Sequence, residues 1–396
     1  MIRPALFVVL ATALLFASAN LPTAPAAPAD PPKKDDKGGI DRTGATKKRL
    51  LKEFGGSEES EEAVMLGLAW LTQMQKPGGN WEYDTNSSHK SDHAAATGMA
   101  VLAFLGAGQS HQAGRYKQTV QAGLDWLVKN VDMKQGPNFG KIYNDPTMYS
   151  QGIATLALCE AYGMTQDPKL KEAAQAAIDY IQRAQGQNGS WGYTAKTQGD
   201  TSIVGWQIQA LHAAKLARLN VDDNVIRKAI GFLDYVSTGR TKAVYGYTNP
   251  GGSAATSLTA IGLLCRYYIS DWRAETPGFA EGTKGLMTRA PSATPRKQLD
   301  LYYYYYATQV VRYHGGEEWK TWNEGVMRPD GDKNGMADWL IALQIRTPRN
   351  RGSWDPEMGT IGGNCGRLGT TCLCLLTLEV YYRYDPTANQ QGAKKP

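Results

Sequence analysis

The chain has 396 residues, 42% of them hydrophobic, and a net charge of +6. That length holds one large domain or two ordinary ones around a sizeable core. The basic residues gather near the N-terminus, in PPKKDDKGG and ATKKRLLK, as a solvated tail and a helix face. A nucleic-acid surface needs a clustered basic stripe, so that partner is excluded.

Residues 1–19 read as a signal peptide. Arg3 is followed by an apolar stretch from Ala5 to Phe16 and then by Ala17-Ser18-Ala19, a small-residue cleavage site. The apolar stretch falls short of the roughly 20 residues that a spanning helix needs. The expectation is export to the periplasm or the outside, with no integral membrane domain after cleavage. Residues 20–43, NLPTAPAAPADPPKKDDKGGIDRT, are rich in Pro, Ala and charge and read as a disordered linker. The folded domain is expected over 44–396.

From there the sequence repeats. Six segments share helical apolar spacing: GLAWLTQMQ (67–75), GLDWLVKN (123–130), AIDYIQRAQ (177–185), AIGFLDYV (229–236), GTKGLMTRA (282–290) and MADWLIALQ (336–344). Their anchors Trp70, Trp126, Tyr180, Phe232, Leu286 and Trp339 recur at intervals of 56, 54, 52, 54 and 53 residues. Each is followed by a loop and a second apolar stretch: 94–108, 149–163, 202–215, 254–268, 302–315 and 369–383. The first helices of these pairs are amphipathic, and the second are apolar nearly all round and therefore buried. An open solenoid needs polar end caps, and neither terminal repeat is more polar than the rest. The pattern predicts an all-α fold, an α/α toroid of six hairpins and twelve helices, with the apolar members as the inner ring.

Three of the loops repeat as well: QKPGGNWEY (75–83), QGQNGSWGY (185–193) and RNRGSWDP (349–356). A Gly-x-Trp turn lets a large ring fold back between helices while the turn satisfies backbone groups, so these read as structural clasps. Helical hairpins of this length with Gln-…-Gly-x-Trp loops resemble the prenyltransferase and squalene-oxidase repeat family. That family includes squalene–hopene cyclases and the β subunits of protein prenyltransferases. The resemblance covers about Ser57 to Asp385 and implies an α/α toroid with a hydrophobic, isoprenoid-type ligand.

The segment LDLYYYYYAT (299–308) is the inner helix of the fifth hairpin. On a helix Tyr302, Tyr305 and Tyr306 share one face and Tyr303 and Tyr304 point toward outer helices. The first face is expected to look into the barrel. It either packs the core or, as in terpene cyclases, offers aromatic faces to a cation, worth up to about 2 kcal/mol each. The acid that starts such a cyclisation is Asp-x-Asp-Asp-Thr in squalene–hopene cyclases. Here QGDTSIVGW (198–206) matches only its last two residues, Asp200 and Thr201, with Thr197 and Gly199 where the other acids stand. Asp92, Asp200 and Asp300 all precede inner helices, either as a ring of carboxylates at one mouth or as N-caps.

Protein prenyltransferases hold zinc with Asp, Cys and His, but the Asp-x-Cys pair has no counterpart here. The five cysteines, Cys159, Cys265, Cys365, Cys372 and Cys374, contain no C-x-x-C pair, and their odd number leaves a free thiol or an intermolecular bridge. A closed ring would bring Asp92 and His93 near Cys365, yet a tetrahedral zinc site needs a matched ligand set. No metal and no cofactor are expected. No nucleophile elbow, P-loop, zinc-protease or thioester motif is present.

The expectation from sequence is an exported toroid that binds an isoprenoid or other lipid in a central cavity without standard catalysis. Its ligand-binding residues would be Asp92, His93, Trp206, Tyr302, Tyr305 and Tyr306. Two alternatives stand beside it: a terpene cyclase-like enzyme with Asp200 as proton donor, and a structural or protein-interaction scaffold.

Overall fold

Helix starts are set by side-chain caps. Ser57, Asp92, Thr147, Asp167, Asp200, Asp222 and Thr256 each accept a hydrogen bond from a backbone N–H in the first turn that follows. A computed structural model describes residues 40–383 apart from 43, 85, 144–146, 294–299, 327–333 and 357–358. The expected signal peptide and the linker up to residue 39 lie outside the described residues. Among those described, no helix is long and apolar enough to cross a membrane.

A leading helix α1 (Gly44–Phe54) precedes the hairpins. The first pairs are α2 (Glu58–Met74) with α3 (His93–Gly106), α4 (Lys117–Lys129) with α5 (Met148–Thr165), and α6 (Pro168–Ala184) with α7 (Thr201–Leu216). Then come α8 (Asp223–Val236) with α9 (Ser257–Ile269) and α10 (Pro277–Leu286) with α11 (Leu301–His314). After an extra helix α12 (Gly316–Glu324), α13 (Met336–Leu343) pairs with α14 (Thr360–Leu378). A two-residue antiparallel pair, β1 (Ser237–Thr238) and β2 (Val244–Tyr245), sits in the loop between α8 and α9. The six expected hairpins are all present, and α1 and α12 are additions that the repeat did not announce.

The second member of each pair lies inside. Every residue of α3 after His93 is buried, and α5 and α7 are buried over most of their length. Along α6 and α8 buried residues alternate with exposed ones at helical spacing, as an outer layer requires. Each inner helix packs on the next, and α14 packs on α3, so the ring is closed. The chain is an α/α toroid.

The Gln and Trp loops do what their spacing suggests. The Trp81, Trp191 and Trp354 indoles donate to the carbonyls of Leu71, Ile181 and Leu340 of their own outer helices, at 2.7, 2.8 and 2.7 Å. The carboxamides of Gln75, Gln185 and Gln344 each donate twice. One bond closes the loop onto Gly79, Gly189 or Gly352, and the other reaches Thr119, Val225 or Ala63 of a neighbouring outer helix. The Gln344 bond to Ala63, at 2.7 Å, ties the last outer helix to α2 and locks the ring. Gly352 is held at φ +94°, and a Cβ there would run into the Leu66 carbonyl of α2.

The far end of the barrel is stoppered by both ends of the described chain. Ile40 and Arg42, expected in the linker, are instead packed into the fold. Ile40 N donates to Gly163 O at 3.1 Å, and Arg42 is buried against Glu160 at 2.6 Å. Arg383, beyond α14, holds the other oxygen of Glu160 at 2.9 Å and donates to the Tyr305 hydroxyl at 3.2 Å. That hydroxyl donates across the lumen to Gln209 of α7, at 3.2 Å. Nearby His212 stacks on Tyr268 with ring centres 4.1 Å apart, and burial pushes its imidazole down to about 3, helped by Arg273 and Lys215. All five cysteines are free thiols.

Two outcomes follow from this packing. Gln344→Ala leaves two buried carbonyls without their donor and should cost about 2–3 kcal/mol, read as a lower urea midpoint; an unchanged midpoint would remove the clasp from the account. His212, neutral when folded and protonated more readily when unfolded, should make stability fall as pH drops from 6.5 toward 3. The slope is at most about 1.4 kcal/mol per pH unit, and His212→Gln should flatten it in pH-dependent melts.

Candidate functional site

All inner helices run the same way, since each follows an outer helix of opposite direction. Their N-termini therefore meet at one mouth, with unpaired N–H groups and partial positive charge turned toward it. A cavity of about 330 Å³ opens there, and all six inner helices line it. Helix α3 supplies Ala95 and Met99, α5 supplies Tyr149 and Ile153, and α7 supplies Ser202 and Trp206. From α9 come Ser257 and Leu258, from α11 Tyr302, and from α14 Ile361, Asn364, Cys365 and Leu373. The loops before α3 and α7 add Tyr83, His89 and Tyr193.

Asp92 is the carboxylate of this wall. It caps α3 through Oδ1, which accepts from Ala95 N at 2.8 Å, and its Oδ2 accepts from Ser150 Oγ at 2.7 Å. Asp92 is thus both an N-cap and a cavity residue, joining the two readings of the sequence. His93, the first residue of α3, does not line the cavity. His89 takes its place. Its backbone N donates to Asn364 O at 3.1 Å, and Ser88 N donates to Gly363 O, so this turn is stitched to the sixth repeat across the seam of the ring.

Asp200 also caps its helix, but it lies beneath the wall. Its Oδ1 accepts from Ser202 N, Ile203 N and Ser202 Oγ, and it is 2% exposed. An oxygen filled by three donors, behind Ser202, is poorly placed to protonate a ligand. Ser202 Oγ and the Tyr149 hydroxyl are 2.5 Å apart, which carries the network from Asp200 to the cavity surface. Burial, with Tyr302 and Asp200 nearby, pushes the Tyr149 phenol up. Asp300 stands at the start of α11 without a capping bond, so its expected N-cap role is not fulfilled.

The tyrosine run divides as its helical spacing predicts. Tyr303 and Tyr304 donate outward to the carbonyls of Leu286 and Arg289, at 2.7 and 3.0 Å. Tyr302 reaches the cavity. Tyr305 and Tyr306 face inward but do not line it; they form the layer under Trp206, with ring centres 5.8 and 6.0 Å from the indole. Trp206 and Tyr302 are therefore surface and Tyr305 and Tyr306 are support. The Tyr302 hydroxyl lies beside Tyr306 and Trp206 without a well-directed hydrogen bond to either.

Cys365 shares the cavity with Asp92, while His93 does not line it, so the three are not brought together there. Among the described residues no group of three or more His, Cys, Asp and Glu side chains is set to hold a metal. Sequence reasoning missed Tyr83 and Tyr193, although their signal was present: each stands two residues after a clasp tryptophan, in Trp81-Glu82-Tyr83 and Trp191-Gly192-Tyr193.

No protein-family model matches the chain, and no curated protein sequence matches it. Solved structures do. The GH76A α-1,6-mannanase of Salegentibacter sp. HEL1_6 is 9% identical with a TM-score of 0.53, covering 81% of this chain and 98% of its own. Cellobiose 2-epimerase from Bacillus thermoamylovorans B4167 is 13% identical with a TM-score of 0.54, covering 84% and 99%. An α-amylase from Clostridium perfringens is 14% identical with a TM-score of 0.50, covering 81% and 98%. At these identities the likeness shows the fold, and kinship with prenyltransferases or squalene cyclases is not shown. The expected lipid-binding toroid and the cyclase alternative are corrected by these comparisons, since the solved structures that the chain resembles are a mannanase, a cellobiose epimerase and an amylase.

Burial pushes the Cys365 thiol up to about 12. Iodoacetamide should therefore label it slowly at pH 8 and faster as pH rises through 10, followed by mass spectrometry of the native protein. Complete labelling within minutes at pH 8 would show an open, ionised thiol instead.

Proposed function

We propose that the chain is a carbohydrate-active enzyme that seats a sugar ring in the mouth cavity and moves a proton on it with Asp92 and His89. The observation that carries this reading is the mixed character of the wall. Aromatic faces from Trp206, Tyr302, Tyr83 and Tyr149 alternate with a carboxylate, an imidazole, an amide and hydroxyls. A pyranose needs that combination: its C–H faces stack on rings while its rim of hydroxyls exchanges hydrogen bonds. The carbohydrate-active proteins that share the fold support the same class of substrate.

Asp92 and His89 are the carboxylate and the imidazole among the described lining residues. Hydrolysis by a carboxyl pair requires two such groups flanking the bond, about 5–10 Å apart. With Asp200 behind Ser202, the wall is better suited to general acid–base transfer between one carboxylate and one imidazole. Ser150 fixes the Asp92 carboxylate, and the Ser88 hydroxyl lies 3.0 Å from His89 Nδ1 on a turn whose backbone is pinned by the Asn364 carbonyl. We also propose that the signal peptide expected over residues 1–19 delivers the chain to extracellular glycans.

The test is a titration of intrinsic tryptophan fluorescence with mannose, glucose and their oligosaccharides, with chromatographic analysis of products. Trp206→Ala should weaken binding at least tenfold, by loss of an aromatic face worth about 1.5 kcal/mol or more. Asp92→Asn should retain binding and lower turnover by 10² or more, the usual worth of a general acid–base group. A protein that neither binds nor converts any of these sugars would overturn the reading.

A further inference from the structure

Three exposed tyrosines extend the aromatic lining out of the cavity. Tyr193, Tyr247 and Tyr235 are 53%, 44% and 56% exposed, although large hydrophobic side chains are otherwise mostly covered. They form one connected track. Tyr193 lines the cavity and packs edge-on against Tyr149, with ring centres 5.8 Å apart. Tyr247 lies next along it: burial, with Tyr193 and Asp200 nearby, pushes its phenol up. Tyr235, in the last turn of α8, donates to Asn249 two residues beyond Tyr247, at 3.1 Å.

The repeat explains why Tyr247 stands there. Trp81 and Trp354 donate their backbone N–H to threonines on the following inner helix, Thr97 and Thr371, at 3.0 and 3.2 Å. Tyr245 makes the same bond to Thr259, at 3.2 Å, so it occupies the clasp position of the fourth repeat. Two residues further on, Tyr247 therefore shares its register with the cavity residues Tyr83 and Tyr193. The platform is also fixed. Thr201, the first residue of α7, donates its N–H to Tyr247 O at 3.0 Å and its hydroxyl to Gly246 O at 2.7 Å. Tyr193 O accepts from Met148 N at the start of α5, at 3.0 Å. A backbone pinned to two inner helices need not be ordered when a ligand stacks on the rings it carries.

Resting on the sugar-binding reading above, we infer that the substrate is an oligosaccharide whose first ring sits in the cavity and whose following rings run over Tyr193, Tyr247 and Tyr235. A monosaccharide has no use for the outer two tyrosines. A lipid would bury them, but the exposed polar side chains of Thr248 and Asn249 beside Tyr247 match the hydroxyl rim of a neutral glycan.

Calorimetric titration with mannose, glucose, α-1,6-mannotetraose and cellotetraose tests this. The unaltered protein should bind a tetraose at least tenfold more tightly than its monosaccharide. Tyr247→Ala should erase most of that gain and leave the monosaccharide affinity within twofold, whereas Tyr247→Phe, which keeps the ring, should retain it. Equal affinities for monosaccharide and tetraose, or an equal loss of both in Tyr247→Ala, would overturn the extended track while leaving the cavity reading intact. A Tyr247→Phe variant as weak as Tyr247→Ala would also overturn it, assigning the tyrosine to the support of Asp200. Binding of none of the four sugars would overturn both.

Discussion

The structure depends on ring closure, and closure depends on the contact between the sixth hairpin and the first. Helices such as α3 and α5 are apolar on every side and have no stable surface to show to water. Each must be covered by two inner neighbours and an outer helix. The packing of α14 on α3 supplies the last neighbour, and the Gln344 bond to Ala63 holds the outer layer at the same seam. A second stitch, from Ser88 and His89 to Gly363 and Asn364, crosses that seam at the mouth. The sixth repeat is thus part of the site as well as the closure.

The two ends of the barrel have different chemistry because helices have different ends. At the N-terminal mouth, orphan N–H groups call for acceptors, and Asp92, Thr147, Asp200 and Thr256 supply them. A polar rim is thereby placed at the rim of an apolar lumen. At the opposite end, Arg42 and Arg383 enclose Glu160, a buried pair of cations on one carboxylate. Such a cluster adds little net stability over an apolar filling, but removing one member would strand the others. It fastens the first and last described segments to α5 and leaves the barrel as a cup open at one end.

Much of this was legible in the sequence. The interval of 52 to 56 residues located six hairpins, the Gln and Trp loops were clasps, and the i, i+3, i+4 spacing sorted Tyr302, Tyr305 and Tyr306 from Tyr303 and Tyr304. The errors share one cause. Depth along a helix is not encoded in which face a residue occupies. Tyr302 and Tyr306 share a face, yet only Tyr302 is at the wall, because Tyr306 lies one turn further from the mouth. Asp200 and Asp92 are both caps, yet one is covered by Ser202 and the other lines the cavity. His89, four residues before His93 in the turn that Asp92 closes, lines the cavity in its stead.

The lipid expectation failed for a related reason. The inner helices average as apolar, and a greasy lumen follows if that average holds along their length. It does not: the apolar length is filled by side chains, with Tyr305 bonded to Gln209 across the middle, and the space that remains lies at the capped ends, where polar groups interrupt an apolar wall. By itself the sequence determined the repeat, the handedness of inside and outside, and the clasps, because these are set by periodicity and by contacts within a hairpin. Only the tertiary structure decided which side chains meet at the mouth and how far each stands from it. Those positions come from six hairpins at once, and no local pattern contains them.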